Sequence, residues 1–157
     1  MTGTCTASQM NLRLASLDVL KQPNQAGTWT LYFDGGCKPN PGFGYGSWEL
    51  VEGDGNVYSC RCRIEFGAGK TNNQAEWLAL LDGLVTMASD DLRPERLRIM
   101  SDAVLVVNQL SGRWKCKSPV MRELRDMCID VLVTDMPGMP WTIHWHSRVH
   151  NVARFGH

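Results

Sequence analysis

Neither sign of charge predominates in this 157-residue chain: 16 lysines and arginines stand against 16 aspartates and glutamates. A global basic field, the usual electrostatic footprint of a nucleic-acid binder, is therefore missing, and charge has to be read segment by segment. No apolar run approaches the roughly 18 residues of a membrane span, and the opening MTGTCTASQMNLRLASLDVL lacks a basic leader followed by a continuous apolar stretch. The expected address is the cytoplasm, with no membrane partner. The six cysteines (Cys5, Cys37, Cys60, Cys62, Cys116 and Cys128) include no CxxC pair, and the one close pair, Cys60-x-Cys62, is badly spaced for zinc. They are expected to be free thiols. Low-complexity tracts are absent too, and 43% hydrophobic with 20% charged residues is an ordinary globular composition that fits one domain.

What is present is a clear succession of periodicities. Residues 1–27 read as an N-terminal extension with a short amphipathic helix marked by Leu12, Leu14, Leu17 and Leu20. From Thr28 the run WTLYFD reads as a strand that ends at Asp34 in a glycine-rich turn. GSWELVE and NVYSCRCRIEF follow as two more strands, separated by the hairpin signal 53-GDGN-56. At 71-TNNQAEWLALLDGLVTMAS-89 the period becomes helical, with Thr71 and Gln74 spaced as a capping box. LRIMSD reads as a buried strand, AVLVVNQLSG as a short helix stopped by Gly112, PVMRELRDMCIDVLVT as an amphipathic helix with Pro119 in its first turn, and WTIHWHS as a last strand. Three strands, helix, strand, two helices and strand make an α/β layout with a mixed sheet, antiparallel at its start and joined by helical crossovers later.

Three carboxylates stand out by position. Asp34 closes the first strand, Asp102 closes the fourth, and Glu76 lies five residues into the capped helix. If the two strands are neighbours, both aspartates emerge at one edge of the sheet. Clustered carboxylates repel unless a cation lies among them, and an all-oxygen set suits a hard ion such as Mg²⁺. Phosphodiester cleavage is the natural chemistry of such a site. The same three acids could equally be ordinary polar ends of strands and helices.

The segments YFDGGCKPNPGFGYG, TNNQAEWLAL and IMSDAVLVVNQLSGRWKCKS, in this order and spacing, resemble the catalytic domain of type 1 ribonuclease H of the compact prokaryotic kind. The resemblance covers Thr28 to Asn151 and assigns residues 28–157 to that domain. It implies a five-stranded mixed sheet flanked by helices, and an endonuclease that cuts the RNA strand of RNA–DNA hybrids with two ions of Mg²⁺ or Mn²⁺, leaving 5′-phosphate and 3′-hydroxyl ends. It makes Asp34, Glu76 and Asp102 the metal ligands. It also places Gly35, Gly36, Cys37, Asn40, Asn72, Asn73 and Gln74 against the hybrid, where contacts to 2′-hydroxyls distinguish RNA from DNA. Gly35 and Gly36 let backbone approach the strand closely. Gln74 has the capping role to fill as well, and plain helix-start chemistry accounts equally for Asn72 and Asn73.

This sequence departs from the family pattern in two places. The pattern R-x-x-N-x-x-A-D meets 148-RVHNVARFGH-157, which keeps Arg148 and Asn151 but puts Phe155 where a fourth acid is expected. The usual C-terminal helix is then expected to be truncated or absent. Asn151, through its side-chain carbonyl, or one of His150 and His157 is a candidate to take part of the missing role, and a nitrogen ligand would shift preference toward Mn²⁺. His150 also falls near a loop histidine that assists product release in relatives, while His144 and His146 read as packing or surface residues. The second departure is a missing basic insertion, which leaves Trp114, Lys115 and Lys117 to grip phosphate and sugar, with Trp114 alternatively a core residue. A monomer is expected. A catalytically weakened hybrid-binding or scaffold domain is the alternative function.

Overall fold

The structure, a computed structural model, describes residues 27–157. The leucine pattern of the N-terminal extension lies outside the described residues. The central strand is β1 (Thr28–Lys38), in which Leu31 and Phe33 face one side and Tyr32 the other, all buried. It pairs antiparallel with β2 (Gly42–Val51), which pairs antiparallel with β3 (Val57–Lys70). On its other edge β1 runs parallel to β4 (Arg96–Ser101), and β4 parallel to β5 (Trp141–Trp145), giving the order β3-β2-β1-β4-β5. This is the five-stranded mixed sheet expected from the sequence.

The helices follow from local chemistry. Thr71 and Gln74 form the reciprocal capping box and start α1 (Asn72–Ser89), whose Trp77, Leu80, Leu84 and Met87 are buried. α2 (Val104–Leu110) is short. Ser118 caps α3 (Pro119–Asp130), which continues into a wider π-helical turn, Val131–Asp135. These helices cover one face of the sheet, where Leu31, Phe33, Trp48 and Leu50 join their apolar residues in the main core. No helix among the described residues is long and apolar enough to cross a membrane.

The structure corrects two expectations and narrows a third. Asp34 does not end β1: the strand continues through Gly35 and Gly36, which pair with Gly46 and Tyr45, because β2 supplies ladder partners that a glycine pair accepts as readily as a turn. What ends near Asp34 is the pairing with β4, whose register stops at Tyr32–Met100. Of the two outcomes expected for the C-terminal helix, its absence is excluded: Ser147 caps an eight-residue α4 (Arg148–Phe155), which closes at Gly156 in the left-handed conformation. It covers the second face of the sheet, where Phe155 packs with Tyr32 and Val51. Finally, Cys62 is disulfide-bonded rather than a thiol.

Candidate active site and nucleic-acid interface

The first turn of α1 lies directly on β1. A Cβ on Gly35 would come within 2.4 Å of the Ala75 carbonyl and 2.5 Å of the Glu76 amide nitrogen, so only glycine permits this approach. The contact positions Glu76, whose carboxylate accepts a hydrogen bond from the Gly35 backbone. Gly35→Ala is therefore expected to cost about 1–3 kcal/mol by forcing helix and strand apart, and to impair the site more than that loss implies. Denaturant unfolding beside a metal titration checks both effects.

Asp34, one residue earlier, is 5% exposed. Asp102 follows β4 directly. One carboxylate oxygen from each of Asp34, Glu76 and Asp102 lies within 4.8 Å of the others. Burial raises the pKa of Glu76 well above the usual carboxylate range, and the neighbouring charges of Asp34 and Asp102 add to this. Burial and the Asp34 charge raise Asp102 as well, against the opposing pull of Arg148 and Asn151. Glu76 Oε2 is buried with no hydrogen-bond partner. Three converging carboxylates, two of them with raised pKa values and one with an orphaned oxygen, form a donor set that a hard divalent cation fits.

Behind Asp102 is a polar relay. The Asn151 amide nitrogen donates to Asp102 Oδ1 at 2.8 Å and to the Phe33 carbonyl at 3.2 Å, while its oxygen faces His146 Nε2 at 2.8 Å. With two oxygen acceptors on one side, the amide has one satisfactory orientation, and its carbonyl faces His146 rather than the acids. Asn151 here buttresses Asp102. His150 stacks on His146 with ring centroids 5.3 Å apart, and the Trp145 indole donates to the Asp102 backbone carbonyl at 3.2 Å.

Burial pushes the His146 pKa down to about 4, with the Asn151 bond and Asp34 pulling up and His150 and Arg154 pushing down. The unfolded chain then takes up this proton near pH 6.5 while the folded chain does not, so stability falls as pH drops from about 6.5 to about 4. The shift corresponds to at most about 3 kcal/mol. His146→Gln, which keeps a donor toward Asn151, is expected to remove that part of the acid slope; unfolding free energies of both proteins across this range measure it.

A family model described as reverse transcriptase-like matches residues 32–153. The ribonuclease HI of Halobacterium salinarum is 36% identical over 107 residues, 66% of this chain and 50% of that protein. The chain belongs to the type 1 ribonuclease H family. The bifunctional protein Rv2228c of Mycobacterium tuberculosis is 36% identical over 92 residues, 58% of this chain and 24% of that protein. The chain thus spans half or less of the length of these curated relatives. Among solved structures, the Halobacterium salinarum RNase H1 superposes with a TM-score of 0.70 at 32% identity, covering 79% of this chain and 89% of that one. LC11-RNase H1 in complex with an RNA/DNA hybrid superposes with a TM-score of 0.69 at 26% identity, covering 78% and 88%.

Within this ribonuclease H fold, the groups expected to face the hybrid fall into two sets. Asn72 Oδ1 accepts from the Cys37 amide at 2.9 Å, and Asn40 Oδ1 accepts from the Asn72 amide at 3.2 Å, so Cys37, Asn40 and Asn72 form one cluster beside Gly36. Asn73 is exposed next to it. Gln74 Oε1 accepts from the Thr71 amide at 2.8 Å and is thereby committed to the cap. The second set lies on the loop after α2: Trp114 is 49% exposed, which excludes the core placement, and Lys115 and Lys117 are exposed beside it. Phe155, in the fourth-acid position, is buried against Tyr32 and Val51.

Sequence reasoning missed Ser47, Glu49 and Arg154, all buried on the face that α4 covers. The alternation of GSWELV carried the only signal, and it reads as a face turned to water.

Proposed function

We propose that this chain is a divalent-metal-dependent endonuclease that hydrolyses the RNA strand of RNA–DNA hybrids, leaving 5′-phosphate and 3′-hydroxyl ends. The observation that carries the proposal is the convergence of Asp34, Glu76 and Asp102 within 4.8 Å, in a chain of this family. These three carboxylates would hold Mg²⁺ or Mn²⁺, two ions when substrate is bound. Held by these carboxylates, such ions would supply the Lewis acidity that activates a water nucleophile and stabilises the leaving oxygen.

The remaining roles belong to the protein. The Gly35 amide and the Asn151 amide keep Glu76 and Asp102 aimed at a common point. Asn40, Asn72 and Asn73, with the backbone at Gly36 and Cys37, present donors and acceptors at the height of a strand's sugars, where a 2′-hydroxyl can be recognised. Lys115 and Lys117 meet phosphate, and the exposed Trp114 ring offers a flat surface to a sugar.

Labelled RNA–DNA hybrid, duplex DNA and duplex RNA, each incubated with the protein and Mg²⁺ or Mn²⁺ or a chelator, test the reading. Cleavage confined to the RNA of the hybrid and abolished by chelation is the expected result. Hybrid binding without cleavage under any metal would overturn it in favour of a scaffold.

A further inference from the structure

Past the last turn of α4, Gly156 adopts φ 74° and turns the chain back toward the sheet. This brings the His157 imidazole, 8% exposed, onto Asp34: Nδ1 lies 3.0 Å from Asp34 Oδ2. Its other nitrogen, Nε2, lies 2.8 Å from Ser47 Oγ, on the β2 residue paired with Asp34. Ser47 Oγ already accepts the Arg63 amide at 2.9 Å, so its hydroxyl hydrogen is available to Nε2. With its proton on Nδ1, the imidazole donates to Asp34 while Nε2 accepts from Ser47. Tyr45 packs edge-on against the ring at 5.1 Å and Phe155 stacks on it at 6.0 Å. The aromatic residue found in place of a fourth acid therefore forms one wall of the histidine's slot.

We propose that His157, fixed by Ser47 and walled by Tyr45 and Phe155, is a positioning residue that locks the Asp34 carboxylate in orientation for cation binding. The proposal rests on the reading of Asp34 as a cation ligand. The Nδ1–H donor engages one Asp34 oxygen, Oδ2, and so fixes the plane of the carboxylate that converges with Glu76 and Asp102. A donor behind a ligating carboxylate is the kind of outer support whose loss weakens metal sites by about 10-fold or more.

The test uses the full chain and two independent readouts. Long-range ¹H–¹⁵N spectra of the metal-free protein report the His157 tautomer, and Mn²⁺ titrated alone, with free ion followed by electron paramagnetic resonance, reports affinity. The expected results are a proton on Nδ1 with a bare Nε2, and about 10-fold weaker Mn²⁺ binding in His157→Ala and His157→Gln. His157→Asn, whose amide nitrogen falls near the position of Nδ1, is expected to retain affinity within about twofold; melting curves confirm that each variant folds. A proton on Nε2 in the wild type, or unchanged Mn²⁺ affinity in a folded His157→Ala, would overturn the proposal. If the wild type shows the Nδ1–H tautomer yet binds no Mn²⁺, the cation reading of the three acids fails and the positioning role fails with it, while the His157–Asp34 pairing stands.

Discussion

Glu76→Gln is expected to abolish hybrid cleavage, by at least about a hundredfold to a thousandfold, and at the same time to raise the melting temperature of the metal-free protein. Both effects come from one cause. In the absence of a cation Glu76 is desolvated and faces Asp34 and Asp102, and these like charges raise its pKa. A group whose folded pKa is raised favours folding only while it holds its proton, and that contribution is lost as pH rises through the folded value. Near neutral pH the wild type therefore carries an electrostatic strain that glutamine removes. The amide oxygen keeps the Gly35 hydrogen bond and the amide nitrogen can donate to an acid. A rise of about 2–4 °C in chelator is the shift that ~1 kcal/mol produces in a domain of this size. Added Mn²⁺ should then stabilise the wild type and leave the variant unchanged, because a ligand stabilises only the state that binds it. Scanning calorimetry with and without metal, beside a single-turnover cleavage assay, reads all of these. A variant that loses activity and also loses stability would mean that the Glu76 carboxylate stabilises the metal-free fold through bonds of its own.

The fold was legible wherever local chemistry is decisive. Thr71 and Gln74 announce the start of α1 by spacing alone, and the apolar runs around Leu31, Leu50 and Ile99 announce the buried strands. Asp34 was placed at a strand end because a Gly-Gly pair signals a turn. Its continuation as strand depends on β2 lying alongside, with Gly46 and Tyr45 opposite, and partners across a sheet are not a local property. α4 was hidden for a related reason. Its inward positions include Asn151 and Arg154, whose residue types ordinarily face water, and β2 meets them with Ser47 and Glu49. Two polar-looking surfaces covering each other leave no hydrophobic period to read.

The candidate site divides along the same line. Asp34, Glu76 and Asp102 could be picked out because each stands at the boundary of a readable element. Their support could not, since it comes from Asn151, His146 and His157, arranged by a helix that the sequence did not promise. Asn151 and His157 were singled out as substitutes for a missing acid. The geometry gives them a different character: Asn151 donates a hydrogen bond to Asp102, and His157 Nδ1 lies 3.0 Å from Asp34 Oδ2. The position of Phe155 makes sense in the same terms, because an apolar ring there fills the space between Tyr32 and Val51.

Arg154→Ala is expected to be the most destabilising single change on this second face, at about 3–5 kcal/mol. Arg154 Nη1 lies 2.6 Å from Glu49 Oε1, with side-chain exposures of 1% and 0%, and the guanidinium carbon sits 3.4 Å from the centre of the Tyr32 ring. The guanidinium carries a desolvated charge against a desolvated carboxylate, so removing it costs Glu49 this ion pair and opens the cavity that the guanidinium filled. Arg154→Lys should recover only part of the loss, since an ammonium keeps the charge but not the planar contact with Tyr32. Replacing both partners with apolar residues of similar volume should cost far less than either single truncation, which a double-mutant cycle by denaturant unfolding would show. Truncation should also reach the site: Arg154 directly precedes Phe155, and undocking this turn of α4 releases the wall behind His157 and hence its hold on Asp34. The Mn²⁺ affinity of a still-folded Arg154→Ala should therefore fall toward that of His157→Ala, whereas a merely structural ion pair would leave it at the wild-type value.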